Sequence, residues 1–255
     1  MSEIRKKNVE PDGWSSLKSF TSARIALGRT GVSMPLEETL RLRLAHAHAR
    51  DAVYSRLDVE LLINAFAAYD IPYCLATSKA ESREIYLQRP DLGRVLNEKS
   101  KQEISQYVTG PKDIALVVAD GLSAIAINEN AMKVLLPFIR QMQEAGFSFA
   151  PVTVVEQARV AIADEIGSIF QARISVILIG ERPGLSAADS LGAYITFDPA
   201  PGLTDERRNC ISNIREEGLP PFKAADKLVK LVTQSIKLKL SGVELKDNDE
   251  TVHLG

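Results

Sequence analysis

The sequence predicts an α/β fold built on a mainly parallel sheet, with a small helical domain at its N-terminus. In the last two-thirds of the chain, short continuous apolar runs alternate with longer segments of helical periodicity. This alternation is typical of parallel strands that are buried on both faces. The first third shows mostly helical patterns, and 255 residues are enough for one core with a smaller lobe. We therefore expect a Rossmann-like sheet behind a helical N-terminal region.

The N-terminal region is predicted to contain two clear helices. The first covers residues 35–53, where Pro35 suits the first turn and leucines recur at helical spacing. The second covers residues 57–70 and ends before Pro72. Residues 77–108 are read as further helical or loop segments.

Strands and helices are then predicted in alternation. Strands are expected in the segments DIALVVADGLSA, FAPVTVV, ISVILIG and AYITFD. Helices are expected in NENAMKVLLPFIRQMQEAG, ARVAIADEIGSIFQA and AADKLVKLVTQSIKLKLSG. In the first of these helices we predict an N-cap at Asn128, a kink at Pro137 and an end at Gly146, while Gly242 is expected to stop the last helix.

These elements divide the chain into four parts. Residues 1–20 are predicted to be a flexible extension, and residues 21–108 a mostly helical domain. Residues 109–242 are predicted to form the α/β domain, followed by a polar tail over residues 243–255.

Composition excludes several classes of function. The formal net charge is −2, so no strong field attracts the chain to nucleic acid or to an anionic membrane. No apolar run approaches the roughly 20 residues that cross a bilayer, and the first residues lack the apolar core of a secretory signal. The two cysteines fit a reducing cytosol better than a disulfide framework.

Three turns mark the expected binding edge, because ligands of open parallel sheets bind beyond the carboxyl ends of the strands. These are ADGLSA after the first α/β strand, the turn around residues 156–160, and ERPGLS after Gly180. Val160 is either in the first turn of the following helix, at this edge, or on the opposite side of a longer helix. It is a ligand contact or a scattered surface valine.

Two further residues have alternative roles. Glu181 is held by the rigid turn that follows it and either accepts hydrogen bonds from a ligand or simply pairs with Arg182 or faces water. Cys210 is placed in a loop or turn among polar residues. It is more typical of a packing residue than of a nucleophile, since no histidine close in sequence could activate it.

Familiar catalytic and cofactor motifs are missing. No G-x-G-x-x-G follows a strand, and there is neither a Walker A motif nor a G-x-S-x-G. The chain has three histidines; His46 and His48 point to different sides of a helix, and His253 is in the polar tail. We predict no catalytic residues and no metal ligands in this chain. A binding edge without a catalytic set indicates half of a site.

The chain resembles the small (light) subunit of ethanolamine ammonia-lyase. Seven segments occur in that family's order: SARIALGRTG, LRLAHAHARDAV, IALVVADGLSA, EQARVAIADEIG, LIGERPGLS, DSLGAYITF and NCISNIREEGL. The resemblance runs from about residue 19 to about residue 242.

The resemblance implies a function that composition and spacing do not reveal. It implies a hetero-oligomeric lyase that converts ethanolamine to acetaldehyde and ammonia by radical chemistry started from adenosylcobalamin. The large subunit would bind ethanolamine, and this chain, inactive alone, would close over the cobalamin. The cofactor would be base-on, with no cobalt ligand from this chain. The matching motifs place its contacts at Val160, Glu181 and Cys210, in residues 109–242. The implied location is the bacterial cytoplasm, within a microcompartment.

Two other functions remain open at this point. The chain could be a structural assembly partner that never contacts the cofactor, in which case Val160, Glu181 and Cys210 would lie far apart. It could instead be an autonomous nucleotide-binding α/β enzyme, against which the missing glycine-rich fingerprint argues.

Overall fold

In the computed structural model, which describes residues 9–21 and 23–245, helices and strands alternate along most of the chain. The strands are β1 Tyr73–Thr77, β2 Lys112–Ala119, β3 Val152–Glu156, β4 Ala172–Gly180, β5 Leu191–Phe197 and β6 Arg208–Ile214. The α-helices are α1 Leu36–Val53, α2 Val59–Ala68, α3 Arg83–Gln88, α4 Glu98–Ser105, α5 Ala124–Glu144, α6 Ile162–Ile169 and α7 Pro221–Leu238. Short 3-10 turns lie at Ser15–Ser19, Leu92–Arg94, Asp205–Arg207 and Gly242–Glu244.

The strands form one sheet in the order β1-β3-β2-β4-β5-β6. The first four strands in this order are parallel, and β5 and β6 extend the sheet in antiparallel pairing. The predicted α/β class with a mainly parallel sheet is therefore confirmed. Reaching a parallel neighbour requires a crossover, which explains why helices separate these strands along the chain.

Both faces of the sheet are covered. Along β2, Leu116 and Val118 face one apolar cluster, whereas Val117 and Ala119 face another, because successive side chains of a strand alternate. Helices α2, α5 and α7 cover the first face, and α4 and α6 cover the second. Burial on both sides is the reason that β2 reads as a continuous apolar run.

Strand β1 was not predicted and lies within the N-terminal region. It pairs in parallel with β3, from Tyr73 opposite Val152 to Thr77 opposite Glu156. It has only five residues, and its side chains alternate between buried and exposed, so it lacks the apolar run of a central strand. The domain boundaries at 20, 108 and 242 stay predictions, and residues 1–8 and 246–255 lie outside the described residues.

Helix α5 begins earlier than predicted. Its N-cap is Ser123, five residues before Asn128, and the predicted cap at Asn128 is wrong. The Asn128 side chain instead bridges to the loop between α1 and α2, accepting from the N–H of Asp58 at 3.0 Å and donating to the carbonyl of Arg56 at 3.1 Å. Pro137 lies inside α5. The last helix ends at Leu238, before Gly242.

Strand β6 contains Cys210, so the prediction of a loop or turn there is wrong. β6 pairs with β5, and Cys210 lies opposite Tyr194. Its burial pattern is irregular and four of its seven residues are Arg208, Asn209, Ser212 and Asn213. Polar residues are depleted in central strands, but this strand lies at the edge of the sheet.

The end of β4 is packed too tightly for a side chain. A Cβ atom at Gly180 would lie 1.9 Å from the carbonyl oxygen of Ser123 and 2.5 Å from that of Asp120. The N–H of Leu122 donates to the Gly180 carbonyl at 2.9 Å, which holds the two turns together. Gly184, in the following turn, has no non-neighbouring heavy atom closer than 3.7 Å to such a Cβ.

We expect Gly180→Ala to lower the free energy of unfolding by at least about 2 kcal/mol, since the new methyl group meets backbone that cannot move aside. Gly184→Ala is the matched control and should change stability by no more than about 0.5 kcal/mol. Urea unfolding of both variants checks this. Equal stability of the two variants would contradict the tight approach of the β2 and β4 ends.

Candidate functional site

The carboxyl ends of β2, β3 and β4 bring the three predicted turns together. The turn after β2 bonds to the end of β4, as described above, and it also bonds to the turn after β3. The prediction that these three turns share one edge is therefore confirmed. Strand β2 lies between β3 and β4 in the sheet, so the residue that follows it is the natural centre of this edge.

That residue, Asp120, is buried, and its carboxylate is surrounded by donors. Oδ1 accepts from the N–H of Gly121 at 2.8 Å and of Ala158 at 3.1 Å. Oδ2 accepts from the N–H of Gln157 at 2.9 Å and from Nη1 of Arg83 at 3.3 Å. Gln157 has a φ of 57°, which is uncommon for a residue other than glycine. The carboxylate thus holds a strained turn in place.

Burial raises the pKa of Asp120 to about 6, although the N–H donors and the Arg83 charge oppose this shift. Desolvation disfavours the charged form of any carboxyl group. The four donors keep the ionised carboxylate compatible with the fold at neutral pH, at a cost in stability.

A second buried group joins this edge to helices α1 and α3. The Arg83 guanidinium donates to the carbonyls of Val53 at 2.7 Å and Gly121 at 2.8 Å. It also lies 4.7 Å from the ring centroid of Tyr86, and the guanidinium of Arg159 lies 4.2 Å from the same centroid. The hydroxyl of Tyr86 donates to the Ala158 carbonyl at 3.0 Å. Two cations therefore contact one aromatic ring, a favourable arrangement for guanidinium groups.

Arg159 and Val160 form the turn that precedes α6 and both line a cavity of about 390 Å³. Because α6 begins only at Ile162, the alternative that places Val160 at the sheet edge is the correct one. Val160 is half-buried and packs against the second apolar cluster. Gly121 and Glu181 line other parts of the same cavity.

Glu181 follows β4 and is fixed by the residue before β5 and by two residues of β6. Its Oε2 accepts from the Ser190 hydroxyl at 2.5 Å and from the N–H of Asn213 at 3.2 Å. Its Oε1 accepts from the Ser212 hydroxyl at 2.6 Å. Since a carboxylate offers about four acceptor positions, these bonds leave capacity for one more donor. The reading in which Glu181 pairs with Arg182 is wrong, because its bonds go to Ser190, just before β5, and to β6.

Cys210 does not line the cavity but lies beside a residue that does. It is exposed on β6 and lies opposite Tyr194, which lines the cavity. Partial removal from water raises the pKa of its thiol. Burial also raises the pKa of the Tyr194 hydroxyl, with the nearby Cys210 and Glu181 adding to the shift. A raised pKa leaves the thiol protonated at neutral pH, so the side chain is suited to packing and weak hydrogen bonding rather than to nucleophilic attack.

Val160 and Glu181 therefore line one cavity, whereas Cys210 lies outside its lining, on β6 opposite Tyr194. In residues 9–21 and 23–245, no group of three or more His, Cys, Asp or Glu side chains is positioned to hold a metal ion. In the same residues, no helix combines the length and apolarity that a membrane span needs. A cavity of about 700 Å³ lies near the starts of β1 and β3, but no candidate residue lines it.

A family model of the ethanolamine ammonia-lyase light chain (EutC) matches residues 11–246. The chain belongs to this family. The ethanolamine ammonia-lyase small subunit of Azotobacter vinelandii is 48% identical over 244 residues, which cover 94% of this chain and 90% of the relative. That of Pseudomonas putida (strain W619) is 48% identical over 240 residues, covering 93% and 88%. That of Pseudomonas fluorescens (strain SBW25) is 49% identical over 245 residues, covering 93% and 87%.

Sequence reasoning missed part of the edge in this light chain. Arg83 and Tyr86 are on α3, in a segment read only as helix or loop, and Arg159 was not singled out beside Val160. The one available signal was Asp120, an acidic residue directly after an apolar strand. Its partners could not be identified because Arg83 is 37 residues earlier in the chain.

The raised pKa of Asp120 predicts a specific pH dependence of stability. Between the ordinary pKa of 3.8 and about 6, the folded light chain binds more protons than the unfolded chain. The free energy of unfolding should therefore fall by about 3 kcal/mol as the pH rises through this window, relative to Asp120→Asn, and then level off.

Urea unfolding from pH 4 to pH 7 measures this difference. Asp226→Asn, on the exposed face of α7, makes the same chemical change away from the edge and should follow the wild-type profile. Parallel profiles for the wild type and Asp120→Asn would contradict the assigned shift.

Proposed function

We propose that this chain is the small subunit of an adenosylcobalamin-dependent ethanolamine ammonia-lyase. The enzyme converts ethanolamine to acetaldehyde and ammonia, and this chain closes over the cobalamin at the interface with the large catalytic subunit, which binds ethanolamine. Family membership supports the assignment, because the relatives carry the name of the small subunit of this lyase. The observation that supports the cofactor-binding part is that Val160 and Glu181 line one cavity, with Cys210 on β6 opposite Tyr194, which also lines it.

The cavity has groups that suit a corrin ring. A corrin is a large apolar macrocycle with amide groups on its rim. Val160 offers an aliphatic surface, and the remaining acceptor position of Glu181 suits an amide N–H. The Nε atom of Arg159 is buried without a hydrogen-bond partner, so the site also has an unused donor. When bound, adenosylcobalamin supplies the radical chemistry, and the chain supplies binding, orientation and exclusion of water.

Cobalt coordination is assigned to the cofactor's own base. Neither His46 nor His48 lines the cavity; both are on α1. The carboxylate of Asp120, which follows β2, is occupied by hydrogen bonds from the turn after β3. The residues at this edge therefore fit a base-on cobalamin that receives no cobalt ligand from the chain.

The N-terminal part of the chain has the properties of a protein interface. Leu36, Leu40 and Leu44 recur every four residues on α1 and are 72%, 54% and 58% exposed. Such a stripe on one helix face is typical of a surface that a partner covers. Arg24, from the segment before α1, donates to the carbonyl of Leu185, in the turn that follows β4, at 3.4 Å. We assign this surface to the large subunit.

The two alternative functions account less well for the edge. An assembly partner without cofactor contact has no reason to bring Val160 and Glu181 to one cavity, with Cys210 opposite the cavity-lining Tyr194. A nucleotide-binding enzyme would need backbone N–H groups free to hold a phosphate, but those of Gln157 and Ala158 are bonded to Asp120. Location in the bacterial cytoplasm, within a microcompartment, follows from the proposed function and remains part of the proposal.

Glu181→Gln tests the cofactor contact. In the complex reconstituted with the large subunit, this variant should bind adenosylcobalamin about 10-fold more weakly, because a charged acceptor becomes a neutral amide. Its stability should fall by only about 1 kcal/mol, since the serine hydroxyls can reverse their hydrogen bonds.

Visible absorbance titration measures the affinity, and thermal unfolding measures the stability. Glu144→Gln, at the far end of α5 in an exposed pair with Arg140, is the control and should bind like the wild type. Unchanged affinity in Glu181→Gln would contradict its contact with the cofactor, and a wild-type complex that binds no cobalamin would contradict the proposed function itself.

A further inference from the structure

Arg159 is a half-buried cation without a counter-charge. Its Nη2 donates to the Tyr86 carbonyl at 3.3 Å, and its Nε is buried without a hydrogen-bond partner. Among the described residues, no carboxylate lies within ion-pair distance of this guanidinium. An unpaired charge removed from water is costly, so the missing negative group is expected to come from outside the chain.

The other charged groups at the cavity do not supply it. Arg83 is also a cation, and its ion pair with Asp120 occupies that carboxylate. Arg182 lines the cavity as an exposed third cation. Glu181 is the remaining acidic group, and its oxygens accept from the residue before β5 and from β6 as described. The charge that Arg159 lacks is therefore not provided within the cavity.

The position of Arg159 separates it from Glu181. Arg159 follows β3 and Glu181 follows β4, with β2 between these two strands. Two strand spacings place the ends of β3 and β4 about 10 Å apart. A large ligand can therefore place an amide rim near Glu181 and an anionic group near Arg159. The ligand's negative charge then stays away from the Glu181 carboxylate.

The guanidinium is also held ready for an anion. It stacks on the Tyr86 ring, and a side chain at Gly93 would lie 3.0 Å from Cγ of Arg159 and from the Tyr86 ring. The N–H of Arg159 donates to the Gly93 carbonyl at 2.7 Å, which fixes the backbone. A planar, preorganised guanidinium is well matched to the oxygens of a phosphate group.

We propose that Arg159 binds a phosphodiester, namely the one in the nucleotide loop of cobalamin. This inference rests on the proposed function. It assigns the loop side of the cofactor to the end of β3 and the corrin rim to the end of β4. Arg159 is a binding residue in this account, and Tyr86 is a positioning residue that acts through it.

Cobinamide provides the test, because it keeps the corrin ring but lacks the nucleotide loop with its phosphodiester. In the complex with the large subunit, Arg159→Gln should weaken cobalamin binding about 10- to 100-fold, the range for loss of a charge-assisted hydrogen bond. The same substitution should leave cobinamide affinity within about twofold. Arg159→Lys keeps the charge without the planar fork and should recover part of the loss.

Arg140→Gln, which breaks an exposed pair with Glu144 on α5, should bind both ligands like the wild type. An equal loss for cobalamin and cobinamide in Arg159→Gln, or no loss for either, would overturn the inference. If Arg159→Gln does not fold, the affinities of the Arg159→Lys complex for cobalamin and for cobinamide are compared instead. A loss for cobalamin alone is again the expected result. Failure of the wild-type complex to bind either ligand would instead contradict the proposed function.

Discussion

The buried carboxylate of Asp120 is the interaction on which the binding edge depends. It stands at the end of the central strand β2 and accepts hydrogen bonds from its own turn, from the turn after β3 and from Arg83. Arg83 in turn bonds to the end of α1 and contacts Tyr86. One acidic side chain thus connects the sheet to the N-terminal helices, and four donors offset part of its desolvation. Without it, the left-handed turn at Gln157 would lose the acceptor that holds it.

A second carboxylate repeats this arrangement on the antiparallel side of the sheet. Glu181 accepts from the N–H of Asn213, which has a φ of 57° like Gln157. Strands β5 and β6 therefore do more than extend the core, because Ser190 just before β5 and Ser212 within β6 fix the side chain that faces the cavity. The edge presents rigid acceptors and donors and an aliphatic residue. It contains binding groups without an activated nucleophile, which is the composition expected of half of a site.

The sequence predicted the parts of the fold that have strong local signals. Strand β2 and helix α7 are recognisable from a continuous apolar run and from a helical stripe. Strand β1 was missed because only Cys74 and Ala76 of its five residues are buried, and β6 was missed because polar residues interrupt it. The place of β6 in the sheet depends on pairing with β5, a partner that sequence periodicity cannot identify.

The candidate site shows the same limit more sharply. The rule for parallel sheets located the edge, but Val160, Glu181 and Cys210 were assigned by family resemblance rather than by spacing. Arg83 and Tyr86 act from α3, more than 70 residues before the turn after β3, with which both form hydrogen bonds. Interactions of this range depend on how the helices pack on the sheet, and no local pattern encodes them.

The most direct test of the account is a visible absorbance titration of adenosylcobalamin into this chain alone, and then into its mixture with the large subunit, with ethanolamine turnover followed in both samples. The account predicts tight binding and acetaldehyde formation only in the mixture. Turnover by the single chain would contradict the half-site interpretation. Turnover in a mixture whose cobalamin affinity equals that of the large subunit alone would leave this chain without a role in holding the cofactor.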